Sequence, residues 1–398
     1  MLRTRLPTLP PGARSRAALG LTAAAALGRF ELQQCADCGA VQYPPREACH
    51  RCLSVRLPWK KQSGEGELLT QTVLHHSNDL FFRERLPWRL GLVRLDCGPT
   101  VVAHLHESVK KRVSVRAMLD RAGQAVLAAA PEKEAVNMAE DRQLREFTCD
   151  PKFRKVLVTD GKTAVGQALI RSFIEAKADL IWVGHAEPWK KFPGFDEIAK
   201  LPQVTLLPLD VTDSKSVREV AAEIGGKVDI LVNNAEFHRA FGIANRAGVE
   251  TARSEMDVNY FGLLRLAQEF APVMRARGAD GQSSAVAWVN LLSIYALANF
   301  PAHGTFSASK AAAHSLAQCL RAEMRPAGVR VINAFPGPID DEWNQLTPPP
   351  KLAPDALAKS VLRALQDGIE DLYPGDVAQE WLERWRDNPK ALERELSA

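Results

Sequence analysis

No stretch of this chain strings together the roughly 18 apolar residues that a bilayer crossing requires, so the sequence offers no membrane span. Net charge is also scarce, with 51 Lys and Arg against 47 Asp and Glu. A nucleic-acid surface needs a basic groove with stacking aromatics. That leaves only one local candidate, Phe81, Phe82 and Trp88 beside Arg83, Arg85 and Arg89, which equally suits a loop packed on its own domain or on a partner. Repeats and low-complexity tracts are absent, so the 398 residues, 46% of them apolar, must fill discrete cores. That length exceeds a typical single core and predicts two.

The start of the chain mimics an export signal, with Arg3, Arg5, Arg14 and Arg16 ahead of the apolar run Ala17 to Gly28. The run leads straight into a cysteine-rich segment, however, and reads as a helix packed beside it. Leu6 to Pro11 reads as extended.

What is present in quantity is paired cysteine. Cys35 and Cys38 form one Cys-x-x-Cys knuckle and Cys49 and Cys52 a second, ten residues on. Four thiolates close a tetrahedral shell around one structural zinc and leave no position for water. A redox pair or two disulfides are the other uses of this pattern. No secretory signal supports disulfides, and free cysteine pairs predict a reducing, cytoplasmic setting. His50, inside the second knuckle, reads as solvated. Cys97, Cys149 and Cys319 read as buried small hydrophobes. Beyond the knuckles, Trp59 and Ser63 to Gly66 precede short alternating runs at Leu68 to Leu74, Leu90 to Asp96, Thr100 to Leu105 and Arg112 to Arg116. These predict a small β-barrel, entered by a solvated Lys110 to Arg112.

The block from Phe30 to Arg46 and into this barrel resembles the rubredoxin-like zinc-ribbon plus OB-fold proteins that accompany thiolases and related acyl-CoA condensing enzymes. The resemblance covers roughly residues 20–130. It implies a non-catalytic module that docks on a thiolase-like partner and helps hold or pass a CoA thioester; a CoA phosphate is the alternative use of Lys110 to Arg112.

The back half is an α/β pattern. Lys155 to Thr159 reads as a buried strand and Ala164 to Ala176 as the helix after it. Further apolar strands end at Leu209–Asp210–Val211, at Asp229 to Glu236, at Ala285 to Ser293 and at Phe335. Six strand-like runs alternating with helices predict a doubly wound, Rossmann-type parallel sheet. Over residues 153–398 this half resembles the short-chain dehydrogenase/reductase family. Ser293, thirteen residues before Phe306, matches the catalytic Ser, Lys310 the catalytic Lys and Asn259 the family's Asn. Phe306 replaces the catalytic Tyr. Proton transfer needs a titratable group at that point, and Tyr295 and His303 are the substitutes nearby. The resemblance implies cofactor contacts at Thr159, Gly161, Gly166, Asp210, Asn233, Ala235, Pro336 and Gly337. The phosphate loop is altered, since its three glycines map onto Asp160, Ala164 and Gly166, and Glu236 replaces a fourth. Glycines there let the backbone approach a pyrophosphate. Glu187 follows the second strand too late to tell NAD from NADP.

These readings give an extension and helix over residues 1–29, a zinc ribbon over 30–60, an OB barrel over 61–135, a charged linker over 136–152 and the dehydrogenase-like domain over 153–398. The expected function is a non-catalytic accessory subunit of an acyl-CoA thiolase-type complex. Structural zinc, a CoA thioester as possible ligand and homo- or hetero-oligomers through residues 249–276 and 306–325 go with it. The alternative is an active NAD(P)-dependent 3-hydroxyacyl-CoA or alcohol dehydrogenase with a replaced proton donor. A nucleic-acid-binding OB protein is the remote third.

Overall fold

The computed structural model describes residues 8–133, 136–187, 194–240, 242–245, 247–279, 284–345 and 347–397. Leu6 and Pro7, expected to be extended, lie outside the described residues. Two units emerge, a front one of Pro7–Asp150 with Ala364–Glu370 and a back one of Pro151–Arg363 with Asp371–Ala398.

In the front unit, the Ala-rich helix α1 (Leu19–Ala26) buries Leu21, Ala24 and Ala25. The ribbon is a three-stranded antiparallel sheet in the order β2 (Val41–Gln42), β1 (Glu31–Gln34), β3 (Trp59–Lys61). The Trp59 ring lies so close over Gly20 that a methyl there would collide with it. Two buried glutamines brace the ribbon. Gln42 Nε2 donates to Gln33 Oε1 at 3.0 Å, Gln33 Nε2 to the Arg46 carbonyl at 2.9 Å, and the His50 N–H to Gln42 Oε1 at 3.1 Å.

Five strands then close a barrel: β4 (Glu65–Leu74), β5 (Trp88–Leu95), β6 (Thr100–Leu105), β7 (Arg112–Leu119) and β8 (Ala125–Pro131), in the order β4-β5-β6-β8-β7. Strand β5 shows the period of two, burying Gly91, Val93 and Leu95 while Leu92 and Arg94 face out. Strand β8 was not expected. Its Ala-rich run favours helix locally, and pairing with β6 and β7 overrides that preference.

Of the aromatic–arginine cluster, Phe81 and Trp88 are core, Phe82, Arg85 and Arg89 are half-buried, and Arg83 is exposed. Asp79 caps the short helix α2 (Leu80–Arg83), and Phe81 and Trp88 are fully buried. Trp88 Nε1 donates to His104 Nδ1 at 2.8 Å, and burial holds the His104 pKa down at about 4. Two of the three aromatics that a nucleic-acid stacking platform would need are therefore turned inward. Arg112 is bound to Asp96 and Glu132, each at 2.8 Å.

The charged stretch expected to be a linker instead forms two 3₁₀ turns, Met138–Glu140 and Leu144–Phe147, whose apolar residues bury against Phe81 and Trp88. The unit is completed from far along the chain. The Cys149 N–H donates to the Leu365 carbonyl at 2.7 Å, Gln366 to Asp150 at 3.1 Å and the Glu370 N–H to the Ala26 carbonyl at 2.8 Å. Of the three isolated cysteines, Cys149 is buried, Cys97 half-buried and Cys319 exposed. Only Cys149 thus meets the expectation of burial, Cys97 in part and Cys319 not at all.

The back unit is a seven-stranded sheet with every paired neighbour parallel. In chain order its elements are β9 (Lys155–Val158), α3 (Ala164–Glu175), β10 (Leu180–His185), α4 (Phe195–Ile198), β11 (Val204–Pro208), α5 (Ser214–Ile224), β12 (Ile230–Asn233), α6 (Glu250–Met256), α7 (Leu263–Ala276), β13 (Ala287–Leu291), α8 (Gly304–Met324), β14 (Arg330–Ala334), α9 (Pro354–Asp367), β15 (Asp371–Leu372), α10 (Asp376–Asp387) and α11 (Pro389–Glu395). Strands β12, β13 and β14 are buried at every residue, as a sheet covered on both faces demands. The order β11-β10-β9-β12-β13-β14-β15 reverses direction between β9 and β12. Open parallel sheets bind ligands in the crevice beyond the strand ends at such a reversal. Among the described residues no helix is long and apolar enough to cross a membrane.

Candidate functional site

The four knuckle cysteines converge. Their sulfur atoms all lie within 4.8 Å of one another, with Cys35 to Cys52 at 3.5 Å and Cys38 to Cys49 at 3.6 Å. Zn–S bonds of about 2.3 Å in a tetrahedron place sulfurs about 3.8 Å apart, so the set fits a zinc ion closely. The Cys38 N–H directed at Cys35 holds that thiol down at about 7, which favours the ligating thiolate. The residues fit structural zinc and leave no open position. The exposed His50 turns its Nδ1 to Gln42 Oε1 at 3.2 Å and stands apart from the sulfurs.

In the back unit, the predicted residues gather at the ends of β9, β12 and β13. Thr159 Oγ1 accepts the N–H groups of Asn234 and Ala235 at 3.0 and 3.1 Å, fixing β9 to β12 beside Asn233. The phosphate loop is drawn in on itself. Asp160 Oδ1 accepts the Lys162 N–H at 3.0 Å, and Thr163 Oγ1 accepts the Gly166 N–H at 3.1 Å as the cap of α3. A methyl on Gly166 would strike the Asp160 carbonyl, and one on Gly161 would strike Val183, so these two glycines serve the loop's own packing. Burial is the main cause that pushes the Asp160 carboxyl above its usual range. Lys162 pulls it back, while Glu342 and Glu187 push it further up. Lys162 itself reaches Glu187 at 3.6 Å. Asp210 Oδ1 accepts the Thr212 N–H and hydroxyl at 2.9 and 2.7 Å. A loop that spends the N–H groups of Asp160, Gly161, Lys162 and Gly166 on its own chain, with Glu187 and Glu342 acting on Asp160, fits a dinucleotide pyrophosphate less well than an all-glycine turn.

The catalytic remnant is a closed cluster. Ser293 Oγ accepts the Tyr295 N–H at 3.2 Å and donates to the Pro336 carbonyl at 3.5 Å. Neighbouring Gly337 faces Val377 of α10. Asn259, in the π turn between α6 and α7, donates to the Phe237 carbonyl and to Ser309 Oγ, both at 2.9 Å. Phe306 opens α8 and is buried. The His238 ring stacks on it with centroids 3.8 Å apart and planes 14° from parallel. His238 Nε2 lies 2.5 Å from His303 Nδ1, so one imidazole donates to the other.

The Lys310 ammonium, 2% exposed, pairs with Glu236 Oε2 at 2.7 Å and donates to the Leu291 carbonyl at 3.0 Å. The other Glu236 oxygen sits 3.7 Å from His238 Nδ1. Tyr295 stacks with Phe300 and His303 at the same spot, and Trp381 of α10 meets Tyr295 and Phe300 at a tilt.

Burial lowers the His238 pKa to about 4 and lowers that of His303. Glu236 opposes both shifts, while Lys310 and Arg239 reinforce that on His238. Burial raises Tyr295 above the ordinary phenol value. Burial also raises Asp341 to about 6, with Glu236 the next cause. At neutral pH the imidazoles are uncharged and bonded to each other, and the phenol holds its proton. Burial thus makes both imidazoles weaker bases and the phenol a weaker acid than they are in water.

Sequence reasoning missed His238, two residues past the strand-end motif. The Glu in the family's Gly position was visible, but its reach to Lys310 was not.

Three family profiles match the chain. One described as "ChsH2, rubredoxin-like zinc ribbon domain" covers residues 22–56, "ChsH2, C-terminal OB-fold domain" covers 59–124, and "short chain dehydrogenase" covers 154–350. Dehydrogenase/reductase SDR family member 7C of Xenopus tropicalis is 30% identical over 241 residues, 58% of this chain and 73% of that protein. The short-chain dehydrogenase ptmH of Penicillium ochrochloron is 31% identical over 192 residues, and the match spans 66% of its length. A short-chain dehydrogenase from Burkholderia cenocepacia J2315, solved in complex with NADP, superposes with a TM-score of 0.56 at 32% identity. That match covers 63% of this chain and 99% of that one.

Proposed function

Since the chain belongs to the short-chain dehydrogenase family and carries a ChsH2-type zinc ribbon and OB fold in front, we propose that it is an acyl-CoA-related accessory subunit whose dehydrogenase domain is a scaffold. The observation that carries this reading is Phe306 stacked under His238 at 3.8 Å, where a proton donor would stand. Restoring a phenol there would still leave the ring face covered by His238. The front module docks a thiolase-like enzyme and positions its CoA thioester, with zinc as a structural element. The dehydrogenase-like domain pairs with itself or with an active relative through α6 to α8. Cytoplasmic residence accords with the free thiols.

A second reading is an active NAD(P)-dependent 3-hydroxyacyl-CoA or alcohol dehydrogenase. The 32% identity to an NADP-bound relative across 99% of its length favours it.

One experiment separates the two. The full chain is purified from its host at low salt, its co-purifying proteins are identified, and it is assayed with NADH or NADPH and 3-ketoacyl-CoA substrates. A thiolase-like companion and no turnover are expected. Turnover abolished by Lys310→Ala would establish the enzyme and overturn the scaffold.

A further inference from the structure

The crevice between β9 and β12, where the strand order reverses, is where a parallel sheet of this kind takes a ligand. Glu236 lies three residues beyond the end of β12 and reaches Lys310. Lys310 is a buried cation held by the Glu236 carboxylate at 2.7 Å and the Leu291 carbonyl at 3.0 Å, with the Phe306 ring centroid 5.4 Å away. An ammonium so removed from water requires a compensating anion, and here the chain supplies one from within. The same carboxylate faces His238, and its charge is felt at Asp341, which Glu342 also faces. A ligand with its own phosphates would meet Lys310 already neutralised from within, Lys162 turned toward Glu187, and the carboxylates of Glu236 and Glu342 nearby, with Arg239 as the opposing charge.

We propose that Glu236 is the residue that closes this crevice to dinucleotides, an internal anion standing where a bound anionic ligand would otherwise satisfy Lys310. The proposal deepens the accessory reading and rests on it. Glu236 thereby determines ligand class at this site. With the carboxylate in place the crevice rejects anionic cofactors, and without it Lys310 becomes an anchor for one.

The test uses the full chain. NADPH and NADH are titrated by calorimetry into wild type, Glu236→Gln and Glu236→Gly, with thermal melts confirming that each variant is folded. Glu236→Gln keeps the shape and a hydrogen-bond acceptor for Lys310 while removing the charge. Both variants should gain affinity for a dinucleotide by about tenfold or more, as expected for deleting one like charge at close range in a partly buried site. A third variant, Glu342→Gln, alters an exposed carboxylate and should gain less. Wild type and both Glu236 variants all failing to bind would overturn the proposal and leave the accessory reading intact. Micromolar binding by wild type would overturn the accessory reading and the proposal together. Unfolding of both Glu236 variants would overturn the proposal alone, because Glu236 would then be a structural partner of Lys310 and not a gate.

Discussion

Acid should loosen the dehydrogenase-like unit before it touches any surface ion pair, through His238. The imidazole is neutral in the folded chain, with burial lowering its pKa from 6.5 to about 4. The sign follows from that depression. The stabilising contribution is fully present above pH 6.5, is lost as pH falls, and stops changing below about pH 4. At about 1.4 kcal/mol per pH unit, the loss is about 2 kcal/mol at pH 5 and approaches about 3 kcal/mol at the acid end. His303, also lowered by burial, adds in the same direction. Glu236, Lys310 and Arg239 are the other charges acting on His238.

With two units in the chain, a single unfolding curve is not well defined. Hydrogen exchange of peptides from β13 and α8 is the suitable assay, corrected for the intrinsic pH dependence of exchange. Protection there should fall by about 30-fold between pH 7 and pH 5, the equivalent of about 2 kcal/mol. Unchanged protection, or an NMR titration of His238 with its midpoint above pH 6, would refute the argument and reopen a role for this imidazole as an acid.

Two further outcomes are expected. Stripping zinc with a chelator, or replacing Cys38 and Cys49 by Ser, should unfold the ribbon, because metal binding there is folding free energy. Metal analysis giving one zinc per chain and circular dichroism before and after removal check this, and a ribbon still folded without metal would sink it. Phe306→Tyr should yield no acyl-CoA turnover by itself, since the phosphate loop still carries Asp160 and Ala164 and Glu236 still holds Lys310. A steady-state assay with either nicotinamide cofactor decides it.

Much of the back unit was legible because parallel strands buried on both faces read as continuous apolar runs, as Ile230 to Asn233 and Ala287 to Leu291 do. The knuckles were legible because ligand spacing is local. Strand β8 was not, since Ala125 to Ala130 has no intrinsic preference for extended chain and takes it from its neighbours. Residues 138–147 looked like a linker because Glu140, Asp141, Arg142 and Arg145 mask the spacing of Met138, Leu144 and Phe147, which are the buried ones. The closed site was half legible. Phe306 and Glu236 announce themselves against the family pattern, but the stacking of His238 depends on the path of a loop that no local signal sets.

The seven residues Ala364–Glu370 belong to the front unit, although more than 200 positions of other structure separate them from it in the chain. The front unit is therefore not a segment that can be cut out by choosing one endpoint. A fragment stopped at Asp150 would lose the acceptor for the Cys149 N–H, the Gln366 partner of Asp150 and the Ile369 side chain that lies against Gly28. Grafting this ribbon and barrel onto another protein would require carrying that late segment along, by circular permutation or as a second insertion.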